Sequence, residues 1–178
     1  MTPGFPWRRY MNENKKIPVR RLTELALLTA VALIIFLIEL RIPDISPVPG
    51  VKLGLANIIT VYCVYRYKPW EAAMVVGVRV FLGAVFASSF TTILFSAAGA
   101  LFCIAGMIPI SRIFRKLPIW VCSIIGAVLH NIGQTAAAVL YMGSFAPAVY
   151  LPILIFSGCV AGALTGFCAQ LVIERIDR

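Results

Sequence analysis

The segment from Arg20 to Arg41 reads RRLTELALLTAVALIIFLIELR. The 19 residues between its flanking arginines are mostly apolar, and a helix needs about 20 such residues to cross the hydrocarbon core of a bilayer. The rest of the chain is similar: hydrophobic residues make up 61% of the 178 residues, charged residues 13%, and the mean hydropathy is +0.93. A soluble chain of this length has no means of burying so much apolar surface. The sequence therefore predicts an integral membrane protein.

Six segments are long and apolar enough to be membrane spans, and they occupy nearly the whole chain. We predict an all-α membrane protein, a six-transmembrane-helix bundle over residues 22–178, preceded by a cytoplasmic tail at residues 1–21. The third and fourth spans are separated only by a turn signal at residues 88–92, which we interpret as a tight hairpin. The predicted spans are Leu22–Leu40, Val51–Tyr67, Trp70–Ala87, Thr91–Ile110, Pro118–Met142 and Ala148–Ile173.

The net charge of +9 is informative because of where the basic residues lie. With six spans, thirteen of the sixteen lysines and arginines fall on one side of the membrane, whereas Arg41 and Lys52 fall on the other and Arg79 lies inside a span. Basic residues are retained on the cytoplasmic side. We therefore expect both termini in the cytoplasm, contact with lipid and no nucleic-acid partner. The thirteen are Arg8, Arg9, Lys15, Lys16, Arg20, Arg21, Arg66, Lys68, Arg112, Arg115, Lys116, Arg175 and Arg178.

Polar residues in the spans are candidates for function, because a polar group inside a bilayer is costly unless it has a partner. Lys52 and Asn57 lie where the chain enters the second span. Lys52 is either an interfacial lysine whose stem packs against lipid or a ligand contact. Asn57 lies further inside, where an isolated amide needs a hydrogen-bond partner.

Arg79 lies near the middle of the third span. An arginine at that depth must find an anion, backbone carbonyls or water, so it is either structural or a contact for a ligand. The nearest intramembrane carboxylate is Glu39, close to the outer end of the first span and not at comparable depth. We therefore expect no opposing carboxylate beside Arg79.

His130, Asn131 and Gln134 lie in the fifth span, at the depth of Arg79. Residues three and four apart share a helix face, so hydrogen-bonding side chains are concentrated on one side of this span. The pattern indicates either a pocket wall or a polar network between helices, and we favour the pocket.

Small residues four apart occur in two spans, and this spacing lets helices approach backbone to backbone. In the sixth span, Gly158, Gly162 and Gly166 predict packing inside the bundle. In the first span, Ala26 and Ala30 are compatible with the same role on spacing alone.

Several motifs of catalysis are missing. The chain has just two aspartates, Asp44 and Asp177, so no Asp-rich pair is available to hold magnesium against a diphosphate. It has no Gly-x4-Gly-Lys-Ser/Thr phosphate loop. Its single histidine has no intramembrane carboxylate beside it for a metal site or a catalytic triad. We expect no catalytic residues, no metal, no cofactor and no ATPase within this chain, and hence not an enzyme.

Three motifs resemble those of one known family. They are Pro49–Asn57 (PGVKLGLAN), Arg79 and Gly126–Gln134 (GAVLHNIGQ). Together they resemble the Gx transporter family of bacterial membrane proteins, whose members are also labelled heptaprenyl diphosphate synthase component I. That family is similar to the substrate-binding S-components of energy-coupling factor (ECF) transporters, which are six-helix bundles of this size.

The resemblance implies that the protein captures a vitamin or a similar small solute at its outward face. It also implies a location in a bacterial inner membrane and partners, namely a shared transmembrane coupling subunit and two cytoplasmic ATPases. An Ala-x3-Ala motif on the first span forms the contact of an S-component with the coupling subunit, and Ala26 and Ala30 match it in position.

We therefore expect the substrate-binding component of an ECF-type transporter. The expected ligand contacts are Lys52, Asn57, Arg79, His130, Asn131 and Gln134. With two cations and no opposing carboxylate nearby, the expected solute is anionic or strongly polar. Two alternatives remain open. One is a non-catalytic membrane accessory subunit of prenyl diphosphate or quinone biosynthesis, in which the same residues hold a diphosphate head group. The other is a structural membrane scaffold without a ligand.

Overall fold

The computed structural model describes residues 18–41, 54–87, 90–114 and 117–176 of the chain. These residues form α-helices and short connections, with no strand among them. Five of the described helices are long and apolar enough to cross a membrane, so the protein is an all-helical, multi-pass membrane protein, as predicted. The helices are α1 (Val19–Glu39), α2 (Asn57–Arg66), α3 (Pro69–Ala87), α4 (Phe90–Ile113), α5 (Ile119–Met142) and α6 (Leu151–Ile176), with a 3-10 helix at Ala146–Tyr150.

The helix that differs most from its predicted span is α2. The predicted span was Val51–Tyr67, but the helix has 10 residues and is about 15 Å long, which is shorter than a bilayer core. Gly54 has a φ of 68°, a left-handed conformation that interrupts a helix, and its carbonyl accepts the Asn57 N–H at 2.8 Å. The prediction of a continuous helix through Gly54 is therefore wrong. Residues 51–53 lie outside the described part of the chain.

The other predicted boundaries differ by smaller amounts. Helix α1 begins at Val19, three residues before the predicted start at Leu22. The third and fourth spans are separate helices, because α3 ends at Ala87 and α4 begins at Phe90. The separation inferred from a weak turn signal is thus correct. The predicted tail at residues 1–21 lies mostly outside the described residues.

Helices α1 and α3 run in the same direction, and α2, which lies between them in the sequence, runs in the opposite direction. Near one end of the bundle, Arg21 of α1 contacts Glu71 of α3 at 2.9 Å. Near the other end, the Phe36 ring of α1 lies so close to Gly83 of α3 that a Cβ there would be 2.8 Å from it. The chain leaves α1 beside Gly54, whose N–H binds Glu39, and α2 carries it back to the end that holds Arg21.

One core cluster joins all six helices near the Arg21 end. It includes Leu25 of α1, Ala72 of α3, Met107 of α4, Cys122 of α5 and Ala169 of α6, together with several residues of α2. The starts of α1, α3 and α5 and the ends of α2, α4 and α6 therefore lie together. Six of the eight lysines and arginines in the described residues are at this end, which we call the basic end: Arg20, Arg21, Arg66, Lys68, Arg112 and Arg175.

A buried ion pair fixes the first three helices at the basic end. Glu71 is 3% exposed; its carboxylate accepts from Arg21 at 2.9 Å and from the Lys68 N–H at 2.9 Å. The second bond satisfies a free donor at the start of α3, where Pro69 suits the first helical position. The Arg21 guanidinium also lies 4.2 Å from the centre of the Tyr67 ring. Both charged side chains of this ion pair therefore have their partners within the protein.

The glycines of α6 pack against α5. A Cβ at Gly162 would lie 2.8 Å from the Ile124 Cα, and one at Gly166 would lie 2.6 Å from the Trp120 Cα. Such close approach is possible only without a side chain. The prediction that this glycine series packs inside the bundle is confirmed.

Large apolar side chains cover the outer surface of the described helices. Among them, Leu27, Phe81, Leu140 and Phe156 are 61–84% exposed. An apolar surface of this extent suits contact with lipid rather than water.

Candidate functional site

A polar cavity of about 100 Å³ lies between the helices, in the half of the bundle away from the basic end. All six helices or the turns beside them contribute to its lining. The lining residues are Phe36, Glu39, Gly54, Ala56, Asn57, Arg79, Ser96, Ala127, His130, Asn131, Gln134, Ser157, Gly158 and Ala161. A space of this size accommodates several waters or a small solute.

Five of the six ligand contacts expected from the sequence line this cavity. They are Asn57, Arg79, His130, Asn131 and Gln134, from α2, α3 and α5. The sixth, Lys52, lies outside the described residues. The structure thus brings together residues that are up to 77 positions apart in the sequence.

Arg79 is the positive charge of the cavity. It is 8% exposed, and its Nη1 atom is buried without a hydrogen-bond partner among the described residues. A guanidinium has five N–H donors and loses hydration when buried. An unsatisfied donor of this kind is uncommon, and it belongs to a residue that lines the cavity.

Glu39 is the negative charge of the cavity, and its place there corrects the sequence interpretation. The residue is 8% exposed, and its Oε1 accepts a hydrogen bond from the Gly54 N–H. We expected no carboxylate near Arg79, but both side chains line the same cavity. The expected difference in depth holds, and the two residues form no ion pair among the described side chains. What the expectation missed is that both face one cavity.

The sequence contains a signal for the inward position of Glu39. Leu25, Thr29, Ala32 and Glu39 are four, three and seven residues apart, which is the spacing of one helix face, and all four residues are buried. A charged residue in register with the buried face of a helix faces the bundle. Glu39 is the functional candidate that the motif search missed.

Two glycines make room for polar side chains of α5. A Cβ at Gly99 of α4 would lie 2.8 Å from the Cε1 and Nε2 atoms of His130. A Cβ at Gly158 of α6 would lie 2.5 Å from the Nδ2 atom of Asn131. The same Nδ2 donates to the backbone carbonyl of Leu154 in α6. Asn131 therefore has both roles that its pattern suggested, since it lines the cavity and also links two helices.

Asn57 and Gly54 line both this cavity and a smaller one of about 20 Å³. The smaller cavity is also lined by Ser123 and Thr165, whose hydroxyl oxygens are 3.3 Å apart. Its volume and its hydroxyl groups suit one or two water molecules. The larger cavity is the better site for a solute.

Ala26 and Ala30 lie away from the cavity, on the exposed face of α1. On the same helix, Leu25 and Thr29 are buried. The two alanines therefore do not pack α1 onto the other described helices. Packing inside the bundle, one of the two interpretations of their spacing, is wrong.

The fold and the cavity define a class: a multi-pass helical membrane protein with a charged polar cavity between its helices. The chain belongs to the heptaprenyl diphosphate synthase component I family, whose family model matches residues 28–172. This family is the one that the three sequence motifs resemble. No curated protein and no solved structure matches the chain significantly.

Proposed function

We propose that the protein is the solute-binding membrane component of an ECF-type transporter. It would capture a small polar solute in the cavity of Arg79 and depend on partner subunits for the energy of uptake. The observation that carries this proposal is the buried Nη1 of Arg79, which has no partner among the described residues and belongs to a residue of the cavity lining. A solute with an acidic group would supply the missing hydrogen-bond acceptor.

The distribution of charge supports an outward-facing cavity. Basic residues are retained on the cytoplasmic side of a membrane, which orients the basic end toward the cytoplasm. The cavity then lies in the outer half of a bacterial inner membrane, and both termini lie on the cytoplasmic side. In this arrangement α2, although short, acts as the second of six crossings, because it starts beside Glu39 and ends beside Arg21.

The exposed alanines of α1 support a docking surface for a coupling subunit. Small residues four apart let a second helix approach the backbone closely, and Ala26 and Ala30 face outward. Two cytoplasmic ATPases would drive the complex through that subunit, since no phosphate-binding loop occurs in this chain.

Native mass spectrometry of the protein, mildly solubilised from its own host, tests the proposal. We expect a bound small solute, together with a membrane subunit and two ATPases. Arg79→Ala should lose the solute and keep the subunits, whereas Arg175→Ala, which removes an exposed arginine of α6, should keep both. A folded Arg79→Ala protein that retains the solute would contradict the role of Arg79.

The family description favours a second candidate, a non-catalytic membrane subunit of prenyl diphosphate synthesis. The cavity fits that role less well, because the Glu39 carboxylate would repel a diphosphate that approaches Arg79. An isoprenoid diphosphate or a soluble synthase in the mass spectrum would favour this candidate over the transporter.

A further inference from the structure

Two buried charges of opposite sign line the cavity without pairing with each other. Glu39 and Arg79 are each 8% exposed. The ion pairs among the described side chains, Arg20 with Glu24 and Arg21 with Glu71, include neither of them. The carboxylate of Glu39 is held by the Gly54 N–H, and the Nη1 of Arg79 has no partner within the described part of the chain.

A direct contact would satisfy both charges, since arginine and carboxylate form strong paired hydrogen bonds. Without that contact, a positive and a negative residue of one lining are both left able to interact with an occupant. Because an uncompensated charge in a membrane interior is costly, the occupant should match both groups.

The charge balance of the lining limits the net charge of that occupant. Arg79 and Glu39 are the two charged lining residues among those described, and the other polar groups are amides, hydroxyls and one imidazole. Against this described lining, a solute with a net charge would leave one charge of the site or of the solute uncompensated. A solute of zero net charge with separated charges would compensate both.

We propose that the cavity binds a dipolar solute of zero net charge, which places an anionic group against Arg79 and a cationic N–H donor against Glu39. This inference rests on the proposed solute-binding function and narrows the anionic or strongly polar solute expected from the sequence. It names a class of ligand, that of small zwitterions.

The parallel packing of α1 and α3 determines which end of the solute would bind deeper in the bundle. Phe36 of α1 lies level with Gly83 of α3, so the Glu39 backbone is about 10 Å further along the bundle axis than that of Arg79, at 1.5 Å per residue. The anionic group would bind deeper in the bundle, and the cationic group would bind closer to the end away from the basic residues.

A charge-sorted extract tests the inference even though the solute is unidentified. The small molecules of the host are separated by ion exchange at pH 7 into net-negative, net-positive and net-neutral fractions. Each fraction is added to the purified detergent-solubilised protein, and the Tm is measured. We expect the net-neutral fraction to raise the Tm by about 5 °C and the two charged fractions to have little effect.

Two charge-neutralising variants should change this preference in opposite directions. Glu39→Gln removes the negative group and should shift stabilisation to the net-negative fraction. Arg79→Gln should shift it to the net-positive fraction. Glu24→Gln on α1 and Arg175→Gln on α6 make the same charge changes away from the cavity and should behave like the natural protein. If Arg79→Gln fails to fold, the natural protein and Glu39→Gln still decide the question.

The outcomes separate the two proposals. Stabilisation of the natural protein by a charged fraction, or an unchanged preference in Glu39→Gln, would overturn the zwitterion and leave solute binding intact. An absence of stabilisation by every fraction would overturn solute binding and, with it, the zwitterion.

Discussion

The bundle contains two sets of buried arginine and glutamate, and they are built differently. At the basic end, Arg21 and Glu71 are in contact at 2.9 Å. The guanidinium packs over the Tyr67 ring, and the Lys68 N–H donates a hydrogen bond to the carboxylate. In the cavity, Arg79 and Glu39 share a lining without contact, and a guanidinium nitrogen is left without a described partner. The same pair of side chains thus holds helices together where it is closed, and we propose that it recognises a solute where it is open.

The comparison predicts the largest effect at the open site, which is the cavity lined by Arg79 and Glu39. Arg79→Ala should lower the affinity for the solute by about 100-fold or more, because a buried charge-assisted hydrogen bond is lost. The free energy of unfolding without solute should stay the same or rise, since no pair in the protein is broken. Native mass spectrometry measures the retained solute, and thermal unfolding of the solute-free protein measures stability. A large loss of stability would show that Arg79 is structural.

The closed site, formed by Arg21 and Glu71, should show the opposite response, a loss of stability without a loss of affinity. Arg21→Ala leaves Glu71 charged and buried without its partner, so we expect a loss of about 3 kcal/mol of stability with no change in the affinity of the remaining folded protein. The neighbouring Arg20→Ala is the control, because that side chain is 92% exposed and should cost less than about 0.5 kcal/mol. Equal effects of the two substitutions would contradict the closed-pair interpretation.

A smaller effect is expected where the cavity wall meets a glycine. Gly158→Ala places a Cβ 2.5 Å from the Asn131 Nδ2, so it should cost about 1–3 kcal/mol and weaken solute binding by moving Asn131. Gly77→Ala in α3 is the matched control, because nothing lies within 4 Å of its added Cβ. That substitution should be neutral or stabilise the helix by up to about 1 kcal/mol. Similar melting temperatures for the two variants would contradict the packing described at Gly158.

The smallest effect on the isolated protein is expected on the outer face of α1. Ala26→Leu and Ala30→Leu should change stability by less than about 0.5 kcal/mol and leave solute binding intact, because both residues are exposed. Co-purification of the coupling subunit should nevertheless be lost. Ala136→Leu, at an exposed alanine of α5, should retain the subunit. Loss of the solute together with the subunit would indicate a structural role instead.

Much of the fold follows from local patterns. The apolar runs predict the five long helices within a few residues, and the family is identified by motifs such as Gly126–Gln134. The prediction for the second helix was wrong at its start because apolar residues continue through Gly54, whereas the backbone there is left-handed. Hydropathy measures transfer to lipid and does not report a backbone conformation. The count of six crossings and the side of the termini stay predictions.

The candidate site was predictable in part. Polar residues inside apolar runs are few, so a search for them finds Asn57, Arg79 and the polar face of α5. Glu39 was overlooked because it stands near a helix end, where a charged residue commonly reaches water. Its inward direction depends on the face of α1 that packs against the bundle, which the spacing of Leu25, Thr29 and Ala32 indicates only after the helix is placed.

The sequence alone determines that this is a helical membrane protein, which segments are apolar enough to cross the bilayer and which residues are costly there. These properties are local, because transfer to lipid depends on each side chain and its near neighbours. The tertiary structure alone decides which charges are paired. Arg21 and Glu71 are 50 residues apart and meet, whereas Arg79 and Glu39 line one cavity and do not. Whether a buried charge is neutralised or left for a ligand depends on distances between helices, and spacing along the chain does not specify them.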